Sequence, residues 1–353
     1  LEQGLENTGF IINAMGKELY VKHKNAHEKE FKKPEGMIAM LKPYHPPQLN
    51  YTIEDLSQIA QISDVAIITI GRNAGEGADR VKEGDFLLTK QETDIIQNTC
   101  DAFHKKTKKV IVVLNIGGVI ETASWKERPD AILLAWQGGQ EGGNSVADIL
   151  SGAVNPSGKL PMTFAHHLED YLSTANFPLD GDPISIKDLI FKRSEKPKDK
   201  KVKNKDYTNY QEGIYAGYRG FDKEKKDVSY PFGYGLSYTN FEYSNMDATL
   251  LNDTITMSLV VKNNGELPGK EVVQIYFTKP NSSIDRPNQE LKSFVKTKNL
   301  KPQEQQEIRL QIPVSELRYW NESISGWALE NGKYMIKAGA SSRNIRIEKE
   351  IIL

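Results

Sequence analysis

Three short, mostly apolar runs, each followed by a glycine-rich stretch, organise the first half of the chain. The runs are Val65–Ile70, Lys109–Asn115 and Ala131–Trp136. They are short and rich in aliphatic residues, which is typical of strands covered on both faces of a parallel sheet. Helical patterns follow them, so the sequence predicts three consecutive β-loop-α units and a doubly wound α/β fold with a mostly parallel sheet.

Caps and periodicity place the other elements of this half. Thr89 and Glu92 form a capping box that opens a helix running to about Lys105, with apolar residues returning at helical spacing. Thr52 caps a preceding helix that runs to about Gln61. Further elements are predicted as helices at Leu1–Gly9, Glu121–Trp125 and Asn144–Leu150, and as strands at Phe10–Asn13 and Lys159–Phe164.

From Phe241 onward the pattern changes to short alternating segments separated by turn residues. Such spacing predicts an all-β sandwich of immunoglobulin or fibronectin type. The predicted strands are Thr254–Lys262, Gly269–Phe277, Leu291–Asn299, Gln306–Ile312 and Gly332–Ala338. We therefore predict an α/β sandwich over 1–170, an irregular linker over 171–239 and a β-sandwich over 240–353.

Composition narrows the possible functions. A length of 353 residues suits two domains, and a net charge of −1 argues against a nucleic-acid partner. No apolar run approaches the roughly 20 residues that span a bilayer, so no membrane partner is expected. Cys100 is the single cysteine and the adjacent His166 and His167 have no third ligand at metal-binding spacing, so neither a metal nor a cofactor is predicted.

The three glycine-rich stretches should share one edge of the sheet, because the carboxyl ends of parallel strands lie together. One of them carries Glu76 between Gly75 and Gly77, and this carboxylate is the predicted catalytic residue. A solvated glutamate in a mobile turn is an equally weighted alternative on local pattern alone. The glycine spacing is a poor match to a dinucleotide-binding loop, and no Walker lysine follows.

Other polar and aromatic residues near these strand ends are weaker candidates. Substrate contact is considered for Arg72, Asn73, Asp79 and Arg80, although an Asp79–Arg80 pair that shapes the loop is favoured over sugar contact. Structural roles are also favoured for Gln140, Glu141, Trp136, Tyr215, Tyr218 and Arg219.

The order of several motifs resembles the family 3 glycoside hydrolases over nearly the whole chain. The blocks that carry the resemblance are Gly75-Glu-Gly-Ala-Asp-Arg80, Trp136-Gln-Gly-Gly-Gln-Glu141, Asn155-Pro-Ser-Gly-Lys-Leu-Pro161, Glu212-Gly-Ile-Tyr-Ala-Gly-Tyr-Arg219 and Pro231-Phe-Gly-Tyr-Gly-Leu-Ser-Tyr-Thr239. Residues 263–300 are similar to the family's fibronectin type III-like domain. The resemblance covers the second and third domains of such enzymes, with the first strand of the second domain missing.

The resemblance implies a retaining β-glucosidase or a close relative acting on oligosaccharide or aryl β-glycosides. In that family an Asp on an N-terminal barrel is the nucleophile, and Glu76 matches the acid/base glutamate of the second domain. No barrel is present in this chain, so we expect the chain alone to be inactive and the barrel to be its partner. A non-catalytic carbohydrate-binding or assembly module is the alternative. A homodimer stays open, and the resemblance favours the bacterial periplasm over the cytoplasm.

Overall fold

The computed structural model describes residues 1–33, 46–72, 81–176 and 210–353. The chain divides into two compact units. The first contains the described residues up to Ser151, and the second contains Gly152–Ala175 and Tyr210–Leu353. No helix among the described residues is long and apolar enough to cross a membrane.

The first unit is built on a three-stranded parallel sheet, which confirms the predicted α/β class. Its strand order is β1-β2-β3, and Val65 pairs with Lys109 while Ile111 pairs with Ala131. The strands are β1 (Val65–Gly71), β2 (Lys109–Asn115) and β3 (Ala131–Leu134). The helices are α1 (Glu2–Asn7), α2 (Ala14–Ala26), α3 (Ile53–Ile62), α4 (Lys90–His104) and α5 (Gly142–Leu150).

The most buried strand of this sheet is β2 rather than β1. Val110, Val112 and Leu114 of β2 are fully buried, whereas only Ile70 is buried in β1. The expectation that β1 is covered on both faces is therefore wrong for the described residues. The physical reason is position, because β2 lies between the other two strands and β1 is at the edge of the three.

The predicted helices that begin after Thr52 and Thr89 are confirmed as α3 and α4. Thr52 and Thr89 both form capping boxes, with Asp55 and Glu92 respectively. The apolar face of α4 includes Cys100 and other fully buried residues, and this face packs toward the sheet.

The second unit contains a β-sandwich, which confirms the predicted all-β portion. One sheet has the order β12-β11-β6-β7, a second has the order β4-β5-β8, and β9 and β10 form a small hairpin. The strands are β4 (Phe241–Leu251), β5 (Thr254–Asn263), β6 (Val272–Thr278), β7 (Glu290–Lys296), β8 (Gln305–Pro313), β9 (Tyr319–Asn321), β10 (Gly326–Ala328), β11 (Lys333–Ser341) and β12 (Asn344–Ile352). Aliphatic and aromatic side chains from both sheets form one core.

The segments before the sandwich pack on it within this second unit. They contain two short helices, α6 (Leu172–Asn176) and α7 (Tyr218–Lys223). Lys159 and Glu271 form an ion pair of 3.0 Å whose side chains are only 13% and 6% exposed. Lys159 also donates to the Gly235 carbonyl oxygen at 2.9 Å. Charge pairing thus ties the segment after Gly152 to the residue that precedes β6.

Three local expectations differ from the structure. Phe10–Asn13 and Lys159–Phe164 are not strands, and Glu121–Trp125 is a turn rather than a helix. Four strands were not predicted: β4, which carries a bulge between Ser244 and Asp247, and β9, β10 and β12. The lysine-rich stretch 192–205, expected to be a solvated loop, lies outside the described residues.

Candidate active site

The carboxyl ends of the three parallel strands lie at one level of the first unit. Gly71, the last residue of β1, pairs with Asn115, and Leu114 pairs with Leu134. The Arg72 amide donates to the Asn115 carbonyl oxygen at 3.1 Å. The predicted common edge is therefore formed, and ligands of open α/β sheets bind at such edges.

Arg72 is the first residue beyond β1, and its guanidinium group is occupied within the protein. Nε donates to the Asp85 carbonyl oxygen at 2.8 Å, and Nη1 donates to the Gly71 carbonyl oxygen at 2.7 Å. Nη2 lies 3.4 Å from the Leu87 carbonyl oxygen. The two terminal nitrogens also donate to the Glu92 carboxylate at 2.6 and 2.8 Å. All five N–H donors of the side chain thus have protein acceptors.

Glu92 receives this guanidinium group at the first turn of α4. Its side chain is 4% exposed, and that of Arg72 is 9% exposed. The carboxylate also accepts from the Thr89 amide at 2.8 Å, as the second half of the capping box. A bidentate guanidinium and an amide donor satisfy the carboxylate, which makes its burial tolerable.

The turn Lys82–Phe86 follows the segment 73–80 in the chain. Gly84 has φ +73°, a left-handed conformation that glycine adopts without steric cost. The Asp85 carboxylate accepts from the Val81 amide at 3.3 Å. Asp85 therefore contacts the residue after this segment through its side chain and Arg72, the residue before it, through its carbonyl oxygen.

The stretch after β2 packs closely against the stretch after β3. A Cβ atom placed on Gly117 would lie 3.0 Å from the side-chain nitrogen of Gln137, so only glycine allows this approach without displacement. The Glu121 carboxylate accepts from the amide and the hydroxyl of Ser124, both at 2.7 Å, and the Trp125 indole donates to the Glu121 carbonyl oxygen at 2.8 Å. These contacts hold a structured turn.

The stretch after β3 combines an unusual backbone conformation with open space. Trp136 has φ +52°, which is rare for a bulky side chain. Glu141 precedes α5, and its side chain accepts from the Asn144 amide group at 2.6 Å without capping the helix backbone. The Glu141 side chain is thus paired with Asn144 at the surface.

The opposite, amino-terminal edge of the sheet carries a cluster of charged side chains around Asp130. Burial acts to raise the pKa of Asp130, but hydrogen bonds from Lys109, the Val110 amide and His104 outweigh it and hold that pKa well below its usual range. This charge cluster lies away from the glycine-rich loops and stabilises the start of β2 and β3.

The structure places the predicted site residues unevenly. Arg72 is described above, while Asn73, Glu76, Asp79 and Arg80 lie outside the described residues. Tyr218 and Arg219, two of the weaker candidates, belong to the second unit. The Tyr218 ring stacks on the Phe232 ring with 4.8 Å between their centroids, and Arg219 Nη1 lies 4.0 Å from Glu290 Oε1. No cluster of three metal-ligating side chains occurs in the described part of the chain.

Two contributors to this edge were missed by reasoning from the sequence. Glu92 was recognised as half of a capping box, but nothing in that motif indicates that it also binds Arg72. Asp85 has no local signal at all, because it acts partly through its backbone carbonyl group.

Comparison with known proteins identifies both portions of the chain. Residues 9–238 match the glycosyl hydrolase family 3 C-terminal domain. Residues 271–342 match the fibronectin type III-like domain. The two matches follow one another in the same order as the two predicted folds.

Curated relatives are β-glucosidases that are longer than this chain. Beta-glucosidase A of Butyrivibrio fibrisolvens is 35% identical, over 83% of this chain and 38% of its own length. A beta-glucosidase of Ruminococcus albus is 37% identical, over 82% of this chain and 28% of its own length. The chain thus spans roughly a third of the curated relatives it matches.

Solved structures give the same result in three dimensions. Beta-glucosidase 3B from Thermotoga neapolitana, solved in complex with α-D-glucose, is 37% identical and superposes with a TM-score of 0.85. That match covers 99% of this chain and 45% of the solved one. The chain therefore belongs to glycosyl hydrolase family 3, of which it carries the C-terminal domain and the fibronectin type III-like domain.

Proposed function

We propose that this chain supplies the general acid/base of a retaining β-glycosidase, with Glu76 as that residue. The observation that carries the proposal is the position of Arg72, which starts the segment 73–80 at the carboxyl edge of the sheet. Family membership supports it, because the relatives described above are β-glucosidases and one was solved with glucose bound. We propose a terminal β-D-glucoside of an oligosaccharide as the substrate.

The proposed reaction has two steps that use Glu76 in opposite protonation states. In the first step, a carboxylate nucleophile attacks the anomeric carbon, and Glu76 gives its proton to the departing glycosidic oxygen. In the second step, the Glu76 carboxylate takes a proton from water, whose oxygen replaces the enzyme carboxylate at the anomeric carbon. Retaining enzymes hold the two carboxyl groups about 5 Å apart.

The nucleophile is proposed to come from a barrel that precedes these two domains in the family. Acid/base assistance alone is worth about 10²–10⁴-fold. We therefore expect the 353-residue chain by itself to release no nitrophenol from nitrophenyl β-glucoside. Release that disappears in Glu76→Gln would contradict this expectation and place a nucleophile within the chain.

The decisive test uses a barrel-containing protein, made by placing the barrel of the Thermotoga neapolitana relative before this chain. Glu76→Gln should lower kcat/KM for phenyl β-glucoside about 10²–10⁴-fold and kcat/KM for 2,4-dinitrophenyl β-glucoside far less, because kcat/KM reports the first step and dinitrophenolate leaves without protonation. Glu83→Gln is the matched control, since Glu83 is exposed on the neighbouring turn. An equal loss for both substrates would refute the acid/base role.

A second measurement separates acid/base catalysis from a binding role. In Glu76→Ala, azide should attack the glycosyl-enzyme and yield β-glucosyl azide, because an anionic nucleophile needs no general base. Absence of this product, together with glucose binding by the chain alone in calorimetric titration, would favour the carbohydrate-binding module instead.

A further inference from the structure

Both ends of the segment 73–80 are held by the same small group of side chains. Arg72 precedes the segment and Val81 follows it. The Asp85 carbonyl oxygen accepts from Arg72 Nε at 2.8 Å, and the Asp85 carboxylate accepts from the Val81 amide at 3.3 Å. The Arg72 amide is in turn bonded to the Asn115 carbonyl oxygen. One residue thus joins the start of the segment to its end.

The group is fixed to the rigid part of the unit through Glu92. This carboxylate binds both terminal nitrogens of Arg72 and belongs to the capping box of α4. Arg72 and Glu92 are both almost completely buried. A bidentate pair in such surroundings has one geometry, because loss of either bond leaves a buried charge without its partner.

We propose that Arg72, Asp85 and Glu92, here called the anchor cluster, are positioning residues for the acid/base Glu76. The inference rests on the proposed function. Arg72 has no N–H donor left for a sugar hydroxyl group, so its contacts favour this role over direct substrate binding. The cluster acts on the reaction by fixing where the segment that carries Glu76 leaves and re-enters the fold.

The physical argument concerns the tolerance of proton transfer. A general acid must lie about 2.6–3.2 Å from the oxygen that it protonates. A displacement of about 1 Å can cost 10²-fold in rate. Loosening the anchor cluster should therefore weaken protonation of the leaving group while leaving the sugar-binding contacts largely in place.

The kinetic test compares two charge-conserving exchanges in buried ion pairs. In the barrel-containing protein, Arg72→Lys keeps the charge but loses the bidentate geometry. We expect kcat/KM for phenyl β-glucoside to fall about 10–100-fold and kcat/KM for 2,4-dinitrophenyl β-glucoside to fall less than about 3-fold, because only the first substrate needs proton donation in the step that kcat/KM reports. Asp85→Ala, which removes the side-chain acceptor of the Val81 amide, should act in the same direction. Lys159→Arg, in the buried pair with Glu271, is the control and should affect both substrates equally.

Hydrogen exchange on the 353-residue chain gives a readout that needs no activity. The Val81 amide, which donates to the Asp85 carboxylate, should exchange faster in Arg72→Lys and Asp85→Ala than in the unchanged chain, while Lys159→Arg should leave its exchange unchanged. If Glu76→Gln shows no leaving-group dependence, the proposed function fails and the anchor cluster is judged by exchange alone. If Glu76→Gln behaves as expected but Arg72→Lys slows both substrates equally, or if exchange is unaltered, the positioning role is refuted.

Discussion

The glycines packed in and against the β-sandwich and those at the carboxyl edge of the α/β sheet have different structural roles. In the second unit, a Cβ atom on Gly233 would lie 1.9 Å from the side-chain oxygen of Gln274, and one on Gly265 would lie 2.3 Å from the Thr239 hydroxyl. At the sheet edge, Gly139 and Gly142 have nothing within 4 Å of such an atom among the described residues. Close packing therefore requires glycine at positions 233 and 265 and does not require it at positions 139 and 142.

Glycine is thus used for two different physical reasons in this chain, close packing and backbone conformation. In the sandwich, glycine allows buried amides and hydroxyls to reach backbone partners, as Gln274 does with the carbonyl oxygens of Gly233 and Ala340. At the sheet edge, Gly139 serves a left-handed turn with φ +65° and leaves room beside it. An edge with space next to its loops fits the proposed ligand-facing role.

The largest expected effect comes from filling the packed position. Gly233 has φ +79°, and its neighbour Gln274 is buried and also accepts from the Tyr276 hydroxyl at 2.6 Å. Gly233→Ala should lower the free energy of unfolding by about 4 kcal/mol, because it adds both strain and overlap. Gly139→Ala, with the same sign of φ but open surroundings, should cost only about 1 kcal/mol. Urea denaturation followed by circular dichroism measures both, and equal costs would erase the distinction between the two regions.

The second effect compares buried ion pairs instead of glycines. Glu271→Leu leaves Lys159 buried without its carboxylate and should lower the free energy of unfolding by about 3 kcal/mol. Adding Lys159→Met should restore stability to within about 1 kcal/mol, because an apolar pair of similar volume replaces the charges. If the double variant is as unstable as Glu271→Leu alone, the ion pair stabilises the fold by more than the mutual compensation of its two charges. The geometry of this pair would then matter as much as that of the bidentate pair in the anchor cluster.

A smaller effect of opposite sign is expected at the open position. Gly142 is the first residue of α5, so Gly142→Ala should stabilise the chain by about 0.5–1 kcal/mol through a lower entropy of the unfolded state. Gly143→Ala is the matched control, since its Cβ atom would lie 2.7 Å from the Leu1 nitrogen. Thermal denaturation should move in opposite directions for these adjacent residues, and destabilisation by both would mean that the space beside Gly142 is needed.

The smallest expected effect is on the reactivity of Cys100, which reports on unfolding of the first unit alone. The thiol is buried in α4, and burial raises its pKa to about 11. Because Cys100 is 1% exposed and only the thiolate reacts, labelling by a disulfide reagent at pH 8 should be at least about 100-fold slower in the folded chain than in urea. Gly233→Ala should leave this rate unchanged if the two regions unfold separately. Faster labelling in that variant would show that they are coupled.

Most strands and helices with regular periodicity could be predicted from the sequence, although β12, which alternates regularly but has only one buried residue, was not. An irregular strand could not be predicted. The three parallel strands and the capped helices α3 and α4 have regular patterns. In β4, Asn245 adopts φ +51° at the bulge, which shifts the alternation of inward-facing residues and hides the strand. Pro161 lacks an amide donor, and within Lys159–Phe164 only Phe164 forms a β-bridge, to Tyr230.

The position of the candidate site could be predicted from the sequence, but the hydrogen bonds and ion pairs around it could not. Glycine-rich stretches after three strands located the edge, and motif order indicated Glu76. The partners of Arg72 were not predictable, because Glu92 follows it by twenty positions and is brought near by the packing of α4. Asp85 contributes a backbone carbonyl oxygen, which no side-chain pattern reveals.

The attachment of both ends of the segment 73–80 to Asp85 has a consequence for how this protein can change over evolutionary time. The bonds that fix the two ends come from residues outside the segment, from Arg72 on one side and the Val81 amide on the other. Substitutions inside the segment leave these two bonds in place, whereas an inserted residue would move Glu76 relative to the fixed ends and misplace the proposed proton donor. Change in the composition of the segment is therefore compatible with the proposed chemistry, and change in its length is not.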